Sequence, residues 1–294
     1  MSRVLVARWR PGLVANDTQV ARRDILHRLV RSPTFVFGVL VVLFWTACAL
    51  LSAQIVPQDP LAQSTNLLSG PSGAHWFGTD QLGRDVFSRV IAGAQSIMTI
   101  APVATVLSVI VGTSVALVIG YYGGLVDEIV CRVIEASFAL PGIILTVLLV
   151  ISFGSSSLTI VSIVVLSFSF IIARTIRVAV QAERNLDYVK AAQLRGDGAL
   201  YIMFVEILPN ITGPIIVEAT LRLGYAVFLI ASLTFLGFGV QPPSPDWALQ
   251  ISDNYTLLLT GTDWWTVLFP ALAIASLVVA SNLIADALAQ VSER

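Results

Sequence analysis

Lysine occurs once in this 294-residue chain, histidine twice and cysteine twice, and all charged residues together make up only 12%. Each scarcity removes a class of chemistry. A phosphate-cradling P-loop needs Gly-Lys-Ser/Thr, and Lys190 follows Val189, so any use of ATP requires another chain. His27 and His75 are too few for a histidine metal site. Cys48 and Cys131 fit neither a metal spacing nor a disulfide framework and read as small residues in or beside apolar stretches. No Ser/His/Asp grouping, HExxH or pair of intramembrane aspartates supports a membrane enzyme. The net charge of −1 gives no reason to expect nucleic acid. No catalytic, metal or cofactor site is expected within the chain.

Apolar residues are what the chain has in quantity: 56% of the sequence, with mean hydropathy +0.85. A soluble domain carries about 25% charged residues, so this chain could not cover its own surface in water. A membrane-crossing helix needs about 20 predominantly apolar residues. Uncharged stretches place six: 35–56, 96–120, 136–153, 158–177, 213–236 and 265–285. The third and fourth form a hairpin turning at Gly154-Ser155-Ser156-Ser157. The expected fold class is therefore all-α, a polytopic membrane protein with membrane lipid around it. The long basic leader and long first span argue against a cleaved signal peptide.

Orientation follows the lysine and arginine bias of short loops. Arg3, Arg8, Arg10, Arg22, Arg23, Arg28 and Arg31 precede the first span. Arg132, Arg174, Arg177, Arg184, Lys190, Arg195 and Arg294 fall on the same side, making 14 of 17 basic residues. The other side holds Arg84 and Arg89. Both termini are thus expected in the cytosol, with 1–32 as a cytosolic tail.

Outside, residues 79–91 read as an amphipathic helix. Thr79 is its expected N-cap, and Asp80–Arg84 and Asp85–Arg89 are i,i+4 pairs. Two readings apply to it: a brace lying in the membrane interface, or a docking surface for an extracytoplasmic partner made by Asp80, Arg84, Asp85 and Arg89. The loop 237–263 carries Gln241-Pro242-Pro243-Ser244-Pro245, a stiff extended segment. Trp247, Trp264 and Trp265 are expected at the headgroup level.

On the basic side, 182–208 separates the fourth and fifth spans. Asp187, Tyr188, Val189, Lys190, Ala191, Ala192, Gln193 and Leu194 fall in a helix over roughly 183–195, which Gly196-Asp197-Gly198 breaks. An apolar second helix, Ala199 to Leu208, is expected to end at Pro209. These faces either pack on their own bundle or lie in a partner's groove. A small face at Ala191 or Ala192 would admit a groove closely, and Gly196 would supply the left-handed residue after the helix. In the fifth span Glu218 and Arg222 lie one turn apart. A central arginine costs roughly 2.5–3.5 kcal/mol by insertion scales, so Arg222 is expected to face the bundle and pair with Glu218, as a structural pair or as part of a pathway.

Lys190-Ala191-Ala192, Gly196 and Leu208-Pro209 match the spacing of a permease signature, Glu-Ala-Ala, three residues, Gly, then Ile-x-Leu-Pro. Lys190 replaces the glutamate and Glu206 the isoleucine. Three longer segments agree: Phe77 to Val86 (FGTDQLGRDV), Leu208-Pro209-Asn210-Ile211, and Ser232 to Pro243 (SLTFLGFGVQPP). Over about 33–290 the chain resembles the permease subunits of binding-protein-dependent ABC importers, in the peptide and nickel branch, C-type dipeptide or oligopeptide permeases. Ile230 stands where many relatives carry glutamate, and Arg222 where they carry a small residue.

The resemblance implies the type I ABC importer (MetI-like) transmembrane fold, with 33–95 as first helix plus outer segment and 96–290 as the transmembrane domain bearing a coupling helix within 183–208. It implies a paired permease subunit, two cytosolic ATPases carrying ATP and Mg and gripping 187–196, and an extracytoplasmic substrate-binding protein. The location would be a prokaryotic cytoplasmic membrane. The cargo would be peptides, with nickel or another small solute as the alternative. An ion-coupled secondary transporter, usually built on inverted repeats and intramembrane ionisable residues, is the other reading. No convincing repeat supports it.

Overall fold

A computed structural model describes residues 27–139, 141–259 and 261–292. The expectations for most of the N-terminal tail and for Arg294 lie outside those residues. The described residues form helices and loops, with a single isolated bridge between Thr79 and Asp85 and no strand. In chain order the helices are α1 (Pro33–Ile55), α2 (Val86–Tyr122), α3 (Gly124–Phe138), α4 (Gly142–Phe153), α5 (Ser157–Arg184), α6 (Asp187–Leu194), α7 (Ala199–Phe235), α8 (Trp247–Leu259) and α9 (Trp265–Ser292). Five of them, α1, α2, α5, α7 and α9, are long and apolar enough to cross a membrane. The pair α3 and α4, bent by 86°, makes a sixth if counted as one broken span.

Local chemistry sets the starts. Ser32 caps α1, with Pro33 in the first turn. The Asp85 carboxylate accepts the Ser88 amide at 2.8 Å and begins α2. Ser156 Oγ accepts the Thr159 amide at 3.1 Å and begins α5.

The centre of the bundle is the contact between α2 and α5. Ala101, Ala104, Ser108, Gly112, Ala116 and Gly120 are buried along one face of α2 at three- and four-residue steps. Opposite stand Ile172, Ile176 and Val180 of α5, all buried. Side chains of this size let the backbones approach, the usual mode of helix association in a membrane. A Cβ added at Gly112 would fall 2.7 Å from Ile172 Cβ and 2.8 Å from the Ser169 carbonyl oxygen.

Several expectations change here. The third span is not a straight helix over 136–153. Pro141 is extended and begins a new helix, as its missing N–H and its restriction on the preceding residue favour. At 12 residues, α4 is about 18 Å long, short of the roughly 30 Å hydrocarbon layer. The 237–263 loop also contains a helix that its proline stretch does not foretell, α8, which begins after Pro245. Trp247 is fully buried within the chain. Its Nε1 donates to the Val90 carbonyl at 2.7 Å, and its ring meets Trp45 edge-on at 4.6 Å. Trp265 is also partly buried, donating to the Thr79 carbonyl at 3.1 Å. Of the three tryptophans, Trp264 stays exposed.

The amphipathic helix over 79–91 does not form. Gly83 takes φ +70°, so 79–85 folds into a turn, and α2 starts only at Val86. Thr79 is a hub rather than an N-cap: its hydroxyl donates to the Asn66 carbonyl and accepts the Ser69 amide. Asp80 accepts the amides of Leu82 and Arg84 at 2.9 and 3.0 Å and the Arg84 Nε at 2.7 Å. Arg89 reaches back to Asp80 at 3.7 Å and to the Ser244 carbonyl at 3.3 Å. Asp85 meets His75 Nδ1 at 3.0 Å instead of Arg89. All four expected docking residues are buried in this chain, so they knit the loop to α2 and α8 and present no open surface. Nearby, Asp246 accepts Ser96 Oγ at 2.9 Å and the amides of Ala248 and Leu249. Burial still pushes its carboxyl above the ordinary range.

Candidate functional site

At the opposite end of the bundle, α5 stops at Arg184, the chain turns through Asn185 and Leu186, and α6 begins at Asp187, whose charge suits the positive end of the helix. The single helix expected over 183–195 is therefore two helices. Gly196 takes φ +84°, its amide donates to the Gln193 carbonyl at 3.0 Å, and the Asp197 amide donates to the Ala192 carbonyl at 3.2 Å. These are the paired bonds of a Schellman C-cap, which only a residue tolerant of positive φ supports cheaply.

From Ala199 the chain stays helical through Pro209 instead of ending there. Proline cannot donate to the carbonyl four residues back, and its ring crowds that carbonyl. The helix widens to a π turn at Ile202–Ile207 and tightens to 3-10 at Leu208–Ile211 before continuing as α-helix from Thr212. The Glu206 carbonyl is taken by the Asn210 side-chain amide at 2.8 Å.

Val189 and Ala192 are fully buried and join Ile202, Met203 and Ile207 in the main core. Ala192 thus faces its own bundle and not a partner, which corrects half of the expected small face. Ala191, Lys190, Asp187 and Leu194 face outward. Lys190 pairs with Asp187 at 3.5 Å on the exposed side. Leu194 is 89% exposed, and Leu186, Leu200, Tyr201, Phe204 and Val205, close to it in sequence, are exposed as well.

Polar staples, none of them anticipated, fix α6 to its neighbours. The Tyr188 hydroxyl donates to Glu183 at 2.6 Å and accepts from Asn210 at 3.1 Å. Burial, then the bond to Glu183, pushes the phenol up to about 12. Arg195 donates to Asp197 at 2.7 Å and to Glu206 at 3.1 Å, so Glu206, which departs from the signature, ties the end of α6 to α7. Asp127 of α3 is ion-paired with Arg177 of α5 beside Cys131. The partners lie 50 positions apart, beyond the reach of local spacing rules.

Within α7, Arg222 Nε and Nη2 donate to Glu218 Oε1 at 2.8 and 2.6 Å. Leu208 and Pro209 sit at the junction of the π and 3-10 turns, with Leu208 packed against the core. The resulting arrangement is a short, capped helix with outward apolar side chains and an inward side rooted in the core. Among the described residues no cluster of three or more His, Cys, Asp or Glu could hold a metal ion.

Known proteins are similar to this chain in sequence. The family model for the binding-protein-dependent transport system inner membrane component matches residues 108–294. The dipeptide transport system permease protein DppC of Escherichia coli (strain K12) is 38% identical over 277 residues, 90% of each chain. The di/tripeptide transport system permease protein DppC of Pseudomonas aeruginosa is 36% identical, covering 85% of this chain and 84% of its own. The glutathione transport system permease protein GsiD of Pectobacterium atrosepticum is 33% identical, covering 90% and 88%. The match runs from the second half of α2 through α9 and includes α6, and the chain belongs to the family of binding-protein-dependent transport system inner membrane components.

Proposed function

We propose that this chain is one of two permease subunits of an ATP-driven peptide importer in a prokaryotic cytoplasmic membrane. Two cytosolic ATPases hold α6 and the start of α7 in grooves, and a substrate-binding protein delivers peptide from outside. Closure of the ATPases on ATP and Mg rocks the bundle between inward- and outward-facing states. The peptide reading is supported by relatives named for dipeptides, di/tripeptides and glutathione.

One observation carries the proposal: Leu194 projects from a helix whose other face, through Val189 and Ala192, is fixed in the core. An exposed apolar knob on a rigid root can transmit a push, whereas a loose loop would absorb it. The P-loop, absent here, must come from the partner. The test compares two substitutions in the co-expressed complex. Leu194→Asp is expected to leave insertion and folding intact while ATPase subunits no longer co-purify and peptide uptake in vesicles falls to background. Ala192→Glu is expected instead to lower the amount of folded permease, since it buries a charge. Normal ATPase retention and uptake in Leu194→Asp would reject α6 as the coupling helix.

A further inference from the structure

A cavity of about 400 Å³ opens between α3 and α5, and its walls are charged. Asp127, Glu128 and Glu135 line it from α3, with Cys131 among them, and Arg174 and Arg177 line it from α5. The α3 residues fall three and four positions apart and so share one face of that helix. Part of this charge is settled within the chain. Asp127 is ion-paired with Arg177 and accepts the Cys131 thiol at 3.4 Å, while Glu128 reaches the exposed Arg132 only at 4.0 Å. Arg174 and Glu135 make no hydrogen bond or ion pair among the described residues. The cavity therefore offers a free guanidinium and a free carboxylate, with Glu128 as a second carboxylate.

Its depth and its neighbour point to the ligand. From Ser157 to Ala173, α5 carries no charge over about 26 Å at 1.5 Å per residue. Against a hydrocarbon layer of about 30 Å, Arg174 stands where that layer gives way to lipid headgroups. One step deeper along both helices the wall turns apolar. Ala136 of α3 and Phe170 of α5 line a second cavity of about 950 Å³, continued by Leu145 and Leu149 of α4 and Phe228 of α7. A charged cavity at headgroup depth followed by an apolar one within the bilayer matches an amphiphile. The walls also select the headgroup. Arg174 suits a phosphate, which takes the paired donors of a guanidinium. Glu135 and Glu128 suit a primary ammonium, which donates three hydrogen bonds. A quaternary ammonium has no such donor and is ordinarily held by aromatic faces, and no residue lining the charged cavity is aromatic.

We propose that the two cavities form a binding site for a phospholipid with an ethanolamine headgroup. Its phosphate lies on Arg174, its ammonium on Glu135 and Glu128, and acyl chain fills the apolar cavity. A peptide in transit carries the same two charges. The order of the cavities, charged at the headgroup level and apolar below it, favours the lipid.

Cys131, in the cavity wall, reports occupancy. The whole complex is placed in nanodiscs of phosphatidylcholine with or without phosphatidylethanolamine. Alkylation of Cys131 by iodoacetamide is timed by mass spectrometry, with the buried Cys48 of the same chain as control. Phosphatidylethanolamine is expected to slow Cys131 about tenfold, the protection given by a ligand at ten times its dissociation constant, and to leave Cys48 unchanged. Arg174→Gln and Glu135→Gln, introduced together on two exposed side chains, are expected to abolish that protection. Lipid retained on mild extraction gives a second readout: the parent should keep phosphatidylethanolamine over phosphatidylcholine, and the double variant should not. Equal alkylation in the two bilayers overturns the proposal. So does protection that survives in the variant, which belongs to the bilayer and not to the site. Equal protection by soluble Ala-Phe in pure phosphatidylcholine would give the cavity to a peptide instead. Cys131 already unreactive in phosphatidylcholine would mean that the paired permease fills the cavity, and the proposal falls in that case too.

Discussion

Asp80 carries more of the outer structure than any pattern around it suggests. Its two oxygens take two backbone amides and Arg84 Nε, and it faces Arg89 at 3.7 Å with all three side chains buried. Removing it leaves two buried guanidiniums short of a counter-charge, and breaking a buried pair costs about 3–5 kcal/mol. Asp253, 3.5 Å from Arg84 and with 28% of its side chain exposed, belongs to the class of partly wet pairs worth about 0–1 kcal/mol. Asp80→Ala is therefore expected to lower the melting temperature and folded yield in detergent sharply, and Asp253→Ala only slightly. Equal effects would show that the buried charges are not interdependent. The Asp80–Arg84 and Glu218–Arg222 contacts were legible as i,i+4 pairs, and Gly196 as a residue of positive φ. The direction of Ala192 was missed although α6 carries a signal for it: Asp187 and Lys190 share the outward side with Ala191 and Leu194, and Val189 and Ala192 lie on the other.

At the scale of elements, the α2–α5 contact is set by how little side chain lies between the backbones. Adding a methyl group at Gly112 would place it against Ile172 Cβ and the Ser169 carbonyl, neither of which is the free end of a flexible chain. Overpacking of this kind costs about 1–3 kcal/mol. Gly112→Ala is expected to lower the thermal midpoint of the purified permease. Gly142→Ala, where an added Cβ meets nothing within 4 Å, should shift it little, as surface changes fall within about 0.5 kcal/mol. A harmless Gly112→Ala would mean that the two helices can part without loss. The stripe was hard to read from sequence because lipid and neighbouring helices are both apolar, so burial leaves no polar–apolar period in a span. Two of the errors in element structure had visible causes. Gly83 inside the supposed 79–91 helix and Pro141 inside the supposed 136–153 span each mark a break, and each was outweighed by the pattern around it.

For the whole molecule, the described helices account for the sequence's tally of six spans only if α3 and α4 count as one bent span, and the direction in which the bundle sits is a matter of charge. Basic residues in short loops are retained on the cytosolic side regardless of neighbouring acids. Fourteen of the 17 fall, by their place in the sequence, on the side expected for α6; those in 1–26 and Arg294 lie outside the described residues. The two on the other side, Arg84 and Arg89, are buried against Asp80, so in the folded protein they present no free cation to the outer surface. Arg222, the remaining one, is paired within α7. On that bias we propose that α6 lies in the cytosol, with the turn at 79–85 and the start of α8 outside. A reporter active only outside the cytosol should score positive when fused after Gly73 or Gly261 and negative after Gly198, all three being exposed positions in loops. A positive signal after Gly198 would place the Leu194 surface where no ATPase can reach it, and the coupling mechanism would fall with the topology.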